Sequence, residues 1–364
     1  MRKLEISLPK QSYSILIGSG LLAKLPDLLE KHGFQKQDRL FLITDDQVAI
    51  HYLEPVRRSL SESGFSIDFA VVPHGEQSKS VATYESLIGK LIEAGCNRKS
   101  VILALGGGMV GDLAGFVAAT YMRGVRFFQL PTTLLAHDSS VGGKVAINHT
   151  SGKNIMGAFY QPQGVIYDVD TLQTLSTREL QSGFAEVIKH GLIWDRSFVD
   201  WLFENKEELL ERNPIYLTEA IERACSVKVA VVSQDETEQG IRAILNYGHT
   251  IGHAIEGTTS YSSYTHGEAI SIGMVGSAWM SEQLHSSNQG LTKMTQELLT
   301  HFCLPTKLRT PLSEDELMDY LRRDKKHTST GFTFIVSPIC GQAQITQHVP
   351  EELVRQALRK IGAY

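Results

Sequence analysis

Short apolar runs alternate with amphipathic stretches through the first half of the chain. Leu4–Leu8 and Ser14–Ile17 read as a strand pair, and Leu21–Lys31 as a helix. Arg39–Thr44 (RLFLIT) is an apolar strand closed by Asp45 and Asp46, and Ile50–Ser63 follows as an amphipathic helix. Ser66–Val72 is a strand leading into the loop PHGEQSK; Val81–Ala94 is a helix and Val101–Leu105 (VILAL) a fully apolar strand. Helix Met109–Tyr121, strand Arg126–Leu130 and the extended segments Gly142–Asn148 and Gly164–Asp168 complete this half. Apolar strands separated by helices describe a mostly parallel sheet covered on both faces.

The period changes near Ser176. Ser176 with Glu179, and Ser313 with Glu316, have capping-box spacing. Helices are expected over Arg178–Ile193, Phe198–Glu211, Ile215–Asp235, Tyr247–Glu256, Gly267–Leu284, Thr292–Phe302, Glu314–Arg323 and Glu351–Lys360. Pro350 suits the first turn of the last of these. Phe332–Ile335 and Gln344–Gln347 suit a small hairpin. The expected fold is an α/β, Rossmann-like nucleotide-binding domain (residues 1–176) followed by an all-α metal- and substrate-binding domain (residues 177–364).

Composition narrows the function classes. The 364 residues are 42% hydrophobic and 21% charged, ordinary values that argue against a disordered or fibrous chain. The net charge of −5 gives no overall pull toward nucleic acid or an anionic membrane. The 4 cysteines form no CxxC pair, which argues against a thiolate zinc site and against a secreted disulfide scaffold. The longest uncharged apolar stretch, Ala269–Met280, falls short of the roughly 18 residues a membrane span needs. With no apolar leader in MRKLEISLPK, a cytoplasmic setting is expected.

The glycines cluster where chemistry is expected. Leu105–Asp112 (LGGGMVGD) leaves a strand, opens a helix and satisfies GxGxxG, so backbone N–H groups and a helix N-terminus can meet a phosphate. The acid expected about 20 residues further on is absent, Arg123 and Arg126 standing there instead, and Asp45 is a substitute for holding a ribose. Glu76 and Lys79 of PHGEQSK suit a ribose hydroxyl and a phosphate. Lys144 and Lys153 in glycine-rich loops suit an anion. In the helical half, His249 and His253 are four apart, as are Glu186 and His190, and His266 follows downstream. Glu186, His249 and His266 would make a three-ligand site with an open position, although spacing leaves His253 and His190 as alternative third imidazoles. A basic set of Lys228, Arg242 and Lys325–Lys326 accompanies Glu238 and Asn246.

Together these segments resemble the 3-dehydroquinate synthases of the sugar phosphate cyclase superfamily. The resemblance spans nearly the whole chain and runs through PHGEQSK, LGGGMVGDLAGFVAATYMRG, LPTTLLAHDSSVGGKVAINH, GKNIMGAFYQP, GFAEVIKHGLI, ILNYGHTIGHAIE and HGEAISIGM. It implies a phosphate-eliminating lyase of the shikimate pathway to aromatic amino acids, using NAD and Zn2+ or Co2+, acting as a homodimer. It implies metal ligation by Glu186, His249 and His266. It implies NAD contacts from Asp45, Glu76, Lys79, Gly107, Gly108, Met109, Asp112, Thr132, Thr133, Lys144 and Lys153, with Thr171, Leu172, Gln173 and Thr174 lining the pocket. Catalytic and substrate contacts are implied for Glu238, His253, Lys144, Arg242, Lys228, Asn246, Asn154, Asp138, Arg123 and one of Lys325 and Lys326, taken as Lys326. Arg123 is expected to reach in from a neighbouring subunit. The alternatives are another sugar phosphate cyclase or a polyol dehydrogenase of the glycerol dehydrogenase type. A neutral polyol has no need of the cationic set, and a sugar phosphate without a carboxylate has less need of Lys228 and Arg242.

Overall fold

The computed structural model describes residues 1–9, 11–260, 262–285, 289–323 and 331–364. The chain divides into two compact units, one of Met1–Leu175 with Pro214–Val229, the other of Ser176–Asn213 with Ala230–Tyr364.

The first unit is built on strands β1 (Arg2–Ser7), β2 (Ser12–Gly18), β3 (Arg39–Asp45), β4 (Ser66–Val72), β5 (Val101–Gly106), β6 (Arg126–Pro131), β7 (Lys144–His149), β8 (Gly152–Phe159) and β9 (Gly164–Asp168). Its helices are α1 (Leu25–Lys31), α2 (Asp46–Glu62), α3 (Val81–Glu93), α4 (Gly108–Thr120) and the single turn α5 (Ala136–Ser139). Seven strands form one sheet in the order β1-β2-β9-β6-β5-β3-β4, parallel except for β1 against β2. The period-2 alternation of each strand feeds two cores. Phe41, Ile43, Ile102, Ala104 and Phe127 pack on one face with Leu87 and Leu91 of α3 and Leu113 and Val117 of α4. Leu40, Leu42, Val101, Leu103, Leu105 and Phe128 pack on the other with Leu28 of α1 and Val56 and Leu60 of α2. Double-sided burial is why these strands read as unbroken apolar runs.

Local chemistry moves some boundaries. Helix α2 begins four residues before the expected Ile50, because the Asp45 carboxylate accepts hydrogen bonds from the backbone N–H groups of Gln47 and Val48. Strand β8, read from sequence as a glycine-rich loop, pairs antiparallel with β7 from Lys144↔Phe159 to His149↔Gly152.

The second unit contains α6 (Thr177–Trp194), α7 (Arg196–Glu204) and α8 (Lys206–Leu210). Helix α9 (Pro214–Gln234) runs from the first unit into the second. Then come α10 (His249–Thr258), α11 (His266–Leu284), α12 (Leu291–His301), α13 (Glu314–Arg323), the antiparallel hairpin β10 (Phe332–Ile339) and β11 (Gln342–Val349), and α14 (Glu351–Lys360). The single helix expected over Phe198–Glu211 is two, interrupted at Asn205. The hairpin runs further than the sequence pattern indicated in both strands. Glycines bring the helices of this unit into backbone contact. A Cβ on Gly273 of α11 would lie 2.0 Å from the Gly248 carbonyl oxygen just before α10, and one on Gly267 would lie 2.0 Å from the Ser182 carbonyl oxygen of α6. No described helix is long and apolar enough to cross a membrane.

Candidate active site

In the first unit, the residues expected at a dinucleotide gather where parallel strands end. Asp45 closes β3, Glu76 and Lys79 follow β4, Gly107 and Gly108 follow β5, Thr132 and Thr133 follow β6, and Thr171–Thr174 follow β9. Ligands of open parallel sheets bind beyond these carboxyl ends. Gly107 caps α4 with ordinary backbone angles, so the need for glycine there is close approach. A Cβ on Gly107 would lie 2.9 Å from the Thr133 methyl carbon, on Gly108 2.9 Å from Ser139 Oγ, and on Gly111 2.7 Å from Gln129 Oε1. Met109 is half-buried in the first turn of α4. Leu172 is fully buried, Thr171 nearly so, and Gln173 and Thr174 are exposed.

Lys79 is the centre of a polar network. Its ammonium donates to Asp112 Oδ2 at 2.7 Å and to Asn154 Oδ1 at 2.6 Å. Burial works against its charge, but Asp112 and Glu76 outweigh that and hold its pKa above the usual lysine value. Asn148 ties the network together: its N–H donates to the Lys79 carbonyl at 2.8 Å, its amide donates to Glu76 Oε1 at 2.8 Å, and its Oδ1 accepts from the Asn154 N–H at 2.9 Å. Asn154 itself is left-handed, with φ 55°. Lys153 is half-buried on β8, and Lys144 is exposed at the start of β7. Lys228 donates to the Asp138 carbonyl at 2.5 Å and pairs with Asp138 Oδ2 at 2.8 Å. Arg123 is exposed and left-handed, φ 67°, beside the equally left-handed Met122.

The second unit assembles the metal candidates from three helices. Glu186 lies within α6, His249 opens α10 and His266 opens α11. Their ligand atoms all lie within 4.8 Å of one another. His249 Nε2 is 3.4 Å and His266 Nε2 3.5 Å from the same oxygen, Glu186 Oε1. Donors about 2.1 Å from a tetrahedral ion stand about 3.4 Å apart, so a carboxylate and two imidazoles at this spacing fit a zinc-type cation. Burial pushes the His249 imidazole well below its usual pKa, toward the neutral form that ligates. Burial works the same way on His266, but hydrogen bonds and attraction from Glu186 and Glu256 reverse it and raise the pKa to about 10. His253 joins a second possible group with Glu256 and His266, whereas His190 belongs to neither group among the described residues.

The helix ends are fixed by side chains. Thr265 and Glu268 form a reciprocal capping box on α11, with Glu268 Oε2 accepting from Thr265 N–H at 2.8 Å. Arg178 (2.7 Å) and Arg309 (2.8 Å) grip the same carboxylate. Burial raises the Glu268 pKa, but these donors overcome it and bring the value down to about 2. Sequence spacing pointed to two other capping boxes and missed this one. It also missed Lys189, three residues after Glu186 on α6, whose buried ammonium pairs with Glu186 Oε2. The signal was present as an i, i+3 charge pair on a helix that buries 13 of its 18 residues.

The remaining candidates of this unit lie on the loop before α10. Asp235 accepts from the backbone N–H groups of Gln239, Gly240 and Arg242. That turn holds Glu238 in a left-handed conformation, φ 58°. Asn246 Nδ2 donates to Glu238 Oε1 at 2.7 Å, and the buried Arg242 guanidinium donates to the Glu236 carbonyl. Lys325 and Lys326 lie outside the described residues.

The strand ends of one unit suit a dinucleotide and the carboxylate–imidazole cluster of the other suits a metal ion, and the solved structures this fold resembles include sugar phosphate cyclases. A solved structure of 2-deoxy-scyllo-inosose synthase, complexed with carbaglucose-6-phosphate, NAD+ and Co2+, is similar to this chain with a TM-score of 0.90 and 26% identity, covering 99% of this chain and 100% of that one. Residues 69–182 match the family described as 3-dehydroquinate synthase N-terminal, and residues 183–327 its C-terminal counterpart. The 3-dehydroquinate synthase of Desulforamulus reducens is 46% identical over 96% of this chain and 98% of its own length. That of Idiomarina loihiensis is 43% identical over 97% of this chain and 98% of its own. The chain belongs to the 3-dehydroquinate synthase family.

Proposed function

We propose that the chain converts 3-deoxy-D-arabino-heptulosonate 7-phosphate into 3-dehydroquinate and phosphate. Bound NAD would take a hydride from the C5 alcohol and later return it, and a zinc or cobalt ion would polarise that alcohol's oxygen. The observation that carries this reading is the convergence of Glu186, His249 and His266, in a chain whose full-length relatives at 43–46% identity are 3-dehydroquinate synthases. A polyol dehydrogenase is not favoured by those relatives.

The chain's own residues would act as follows. Asp45, Glu76, Lys79, Gly107, Gly108, Met109, Asp112, Thr132, Thr133 and Lys153, with Thr171–Thr174, would hold the dinucleotide. Lys144, Asn154, Asn246 and His253 would hold the substrate phosphate by charge-assisted hydrogen bonds. A ketone at C5 acidifies the neighbouring C–H; that proton passes to the departing phosphate as the C–O bond breaks. Arg242, by its planar fork, and Lys228 would fix the substrate carboxylate, with one of Lys325 and Lys326. Anchoring both ends limits the conformers available before the internal aldol closure. Glu238 and His253 would move protons during ring opening and closure, and Asp138 would orient Lys228.

A homodimer in the cytoplasm belongs to the same proposal. Met122, Ile155, Met156 and Phe159 are exposed apolar side chains on the first unit that a second copy would cover. Exposed Arg123, next to Met122, would then serve the neighbouring copy's substrate. Metal removal tests the reading: a strong chelator should abolish turnover, and zinc or cobalt should restore it. Full activity in protein verified metal-free would refute the metal assignment.

A further inference from the structure

Glu256 closes the segment ILNYGHTIGHAIE but has none of the roles above, yet it is buried against a proposed ligand. It lies on α10, seven residues after His249 and three after His253, so all three face one side of that helix. Its Oε2 is 3.3 Å from His266 Nδ1, while the opposite ring nitrogen of His266 faces Glu186 Oε1 at 3.5 Å. A neutral imidazole carries one N–H and one lone pair, on different nitrogens. A carboxylate only accepts, so Glu256 would hold a proton on Nδ1, and in the neutral, ligating form of His266 the Nε2 lone pair would be left for the ion on the Glu186 side.

We propose that Glu256 is a positioning residue that fixes the tautomer and ring orientation of His266 for metal binding; this rests on the metal reading above. The group His253, Glu256 and His266 also has donor atoms close enough for a cation.

The test uses the full chain stripped of metal. Zinc affinity is measured by competition with a chromophoric chelator, and Co2+ binding by its visible absorption, for the wild type, Glu256→Gln and Glu256→Ala. The wild type should bind zinc and Co2+. Glu256→Ala should bind about 10–100-fold more weakly, with a changed Co2+ band. Glu256→Gln should lose less, because its amide oxygen still accepts from Nδ1–H. Its metal-free thermal midpoint, matched to the wild type, separates positioning from folding. Wild-type affinity and an unchanged Co2+ spectrum in Glu256→Ala would overturn the role of Glu256 alone. No metal bound by the wild type would overturn the metal reading itself.

Discussion

Gly267→Ala isolates what brings two of the proposed metal ligands together. Gly267 follows His266 directly, and its N–H donates to Ser182 Oγ at 3.0 Å. An added Cβ would sit 2.0 Å from the Ser182 carbonyl oxygen and 2.6 Å from its carbonyl carbon and Cα. These are backbone atoms of α6 and cannot rotate away. Restoring ordinary contact, from 2.0 to 3.4 Å, requires the start of α11 to move about 1.4 Å from α6. Metal–ligand distances tolerate only about 0.2 Å. Overpacking costs about 1–3 kcal/mol, and a backbone obstacle places this variant at the upper end. Gly89→Ala is the control: it lies inside α3 with nothing within 4 Å of its Cβ, and should stabilise by about 0.5–1 kcal/mol through helix propensity. Urea unfolding of the metal-free proteins gives the two stabilities, and chelator competition gives zinc affinity. The expected result is a lowered urea midpoint and at least tenfold weaker zinc binding in Gly267→Ala, with Gly89→Ala unimpaired in both. Gly267→Ala with a wild-type midpoint and zinc affinity within twofold of wild type would refute the reasoning.

Two further outcomes follow from buried charge and buried sulfur. Lys79→Met should destabilise the protein by about 1–3 kcal/mol in urea unfolding, because it leaves the half-buried Asp112 carboxylate without its cation; NAD affinity, read by fluorescence titration, should fall with it. Thiol titration of the native protein should modify Cys303 quickly and the others slowly, since Cys303 is exposed while burial pushes Cys225 up to about 12 and Cys340 to about 11; all 4 should react in denaturant.

The sequence was most legible where burial is complete. VILAL and RLFLIT are apolar on both faces because α-helices cover both, so periodicity located β5 and β3 to within a residue or so. β8 was missed because Asn154–Gly157 on it are exposed, giving no apolar alternation to read. α2 began early because a cap decided its start, and the α7–α8 break at Asn205 lies inside a stretch that is amphipathic throughout. At the site, histidine spacing showed which side chains share a helix face but not how three helices meet. That depends on Gly267, Gly273 and Gly248, whose contacts are tertiary. Lys189 and the Thr265–Glu268 capping box did leave a signal, an i, i+3 charge pair and an S/T-x-x-E spacing, that went unread, whereas Glu256 acquires its meaning only from the position of His266.

One measurement bears most directly on the whole account. The heptulosonate phosphate is supplied to the zinc-loaded protein with NAD far below the substrate concentration. Phosphate release and NADH absorbance are followed together. The account predicts many phosphates released per NAD with no lasting rise in NADH, because each hydride taken from C5 is returned. NADH accumulating in step with turnover, or no phosphate released, would contradict it.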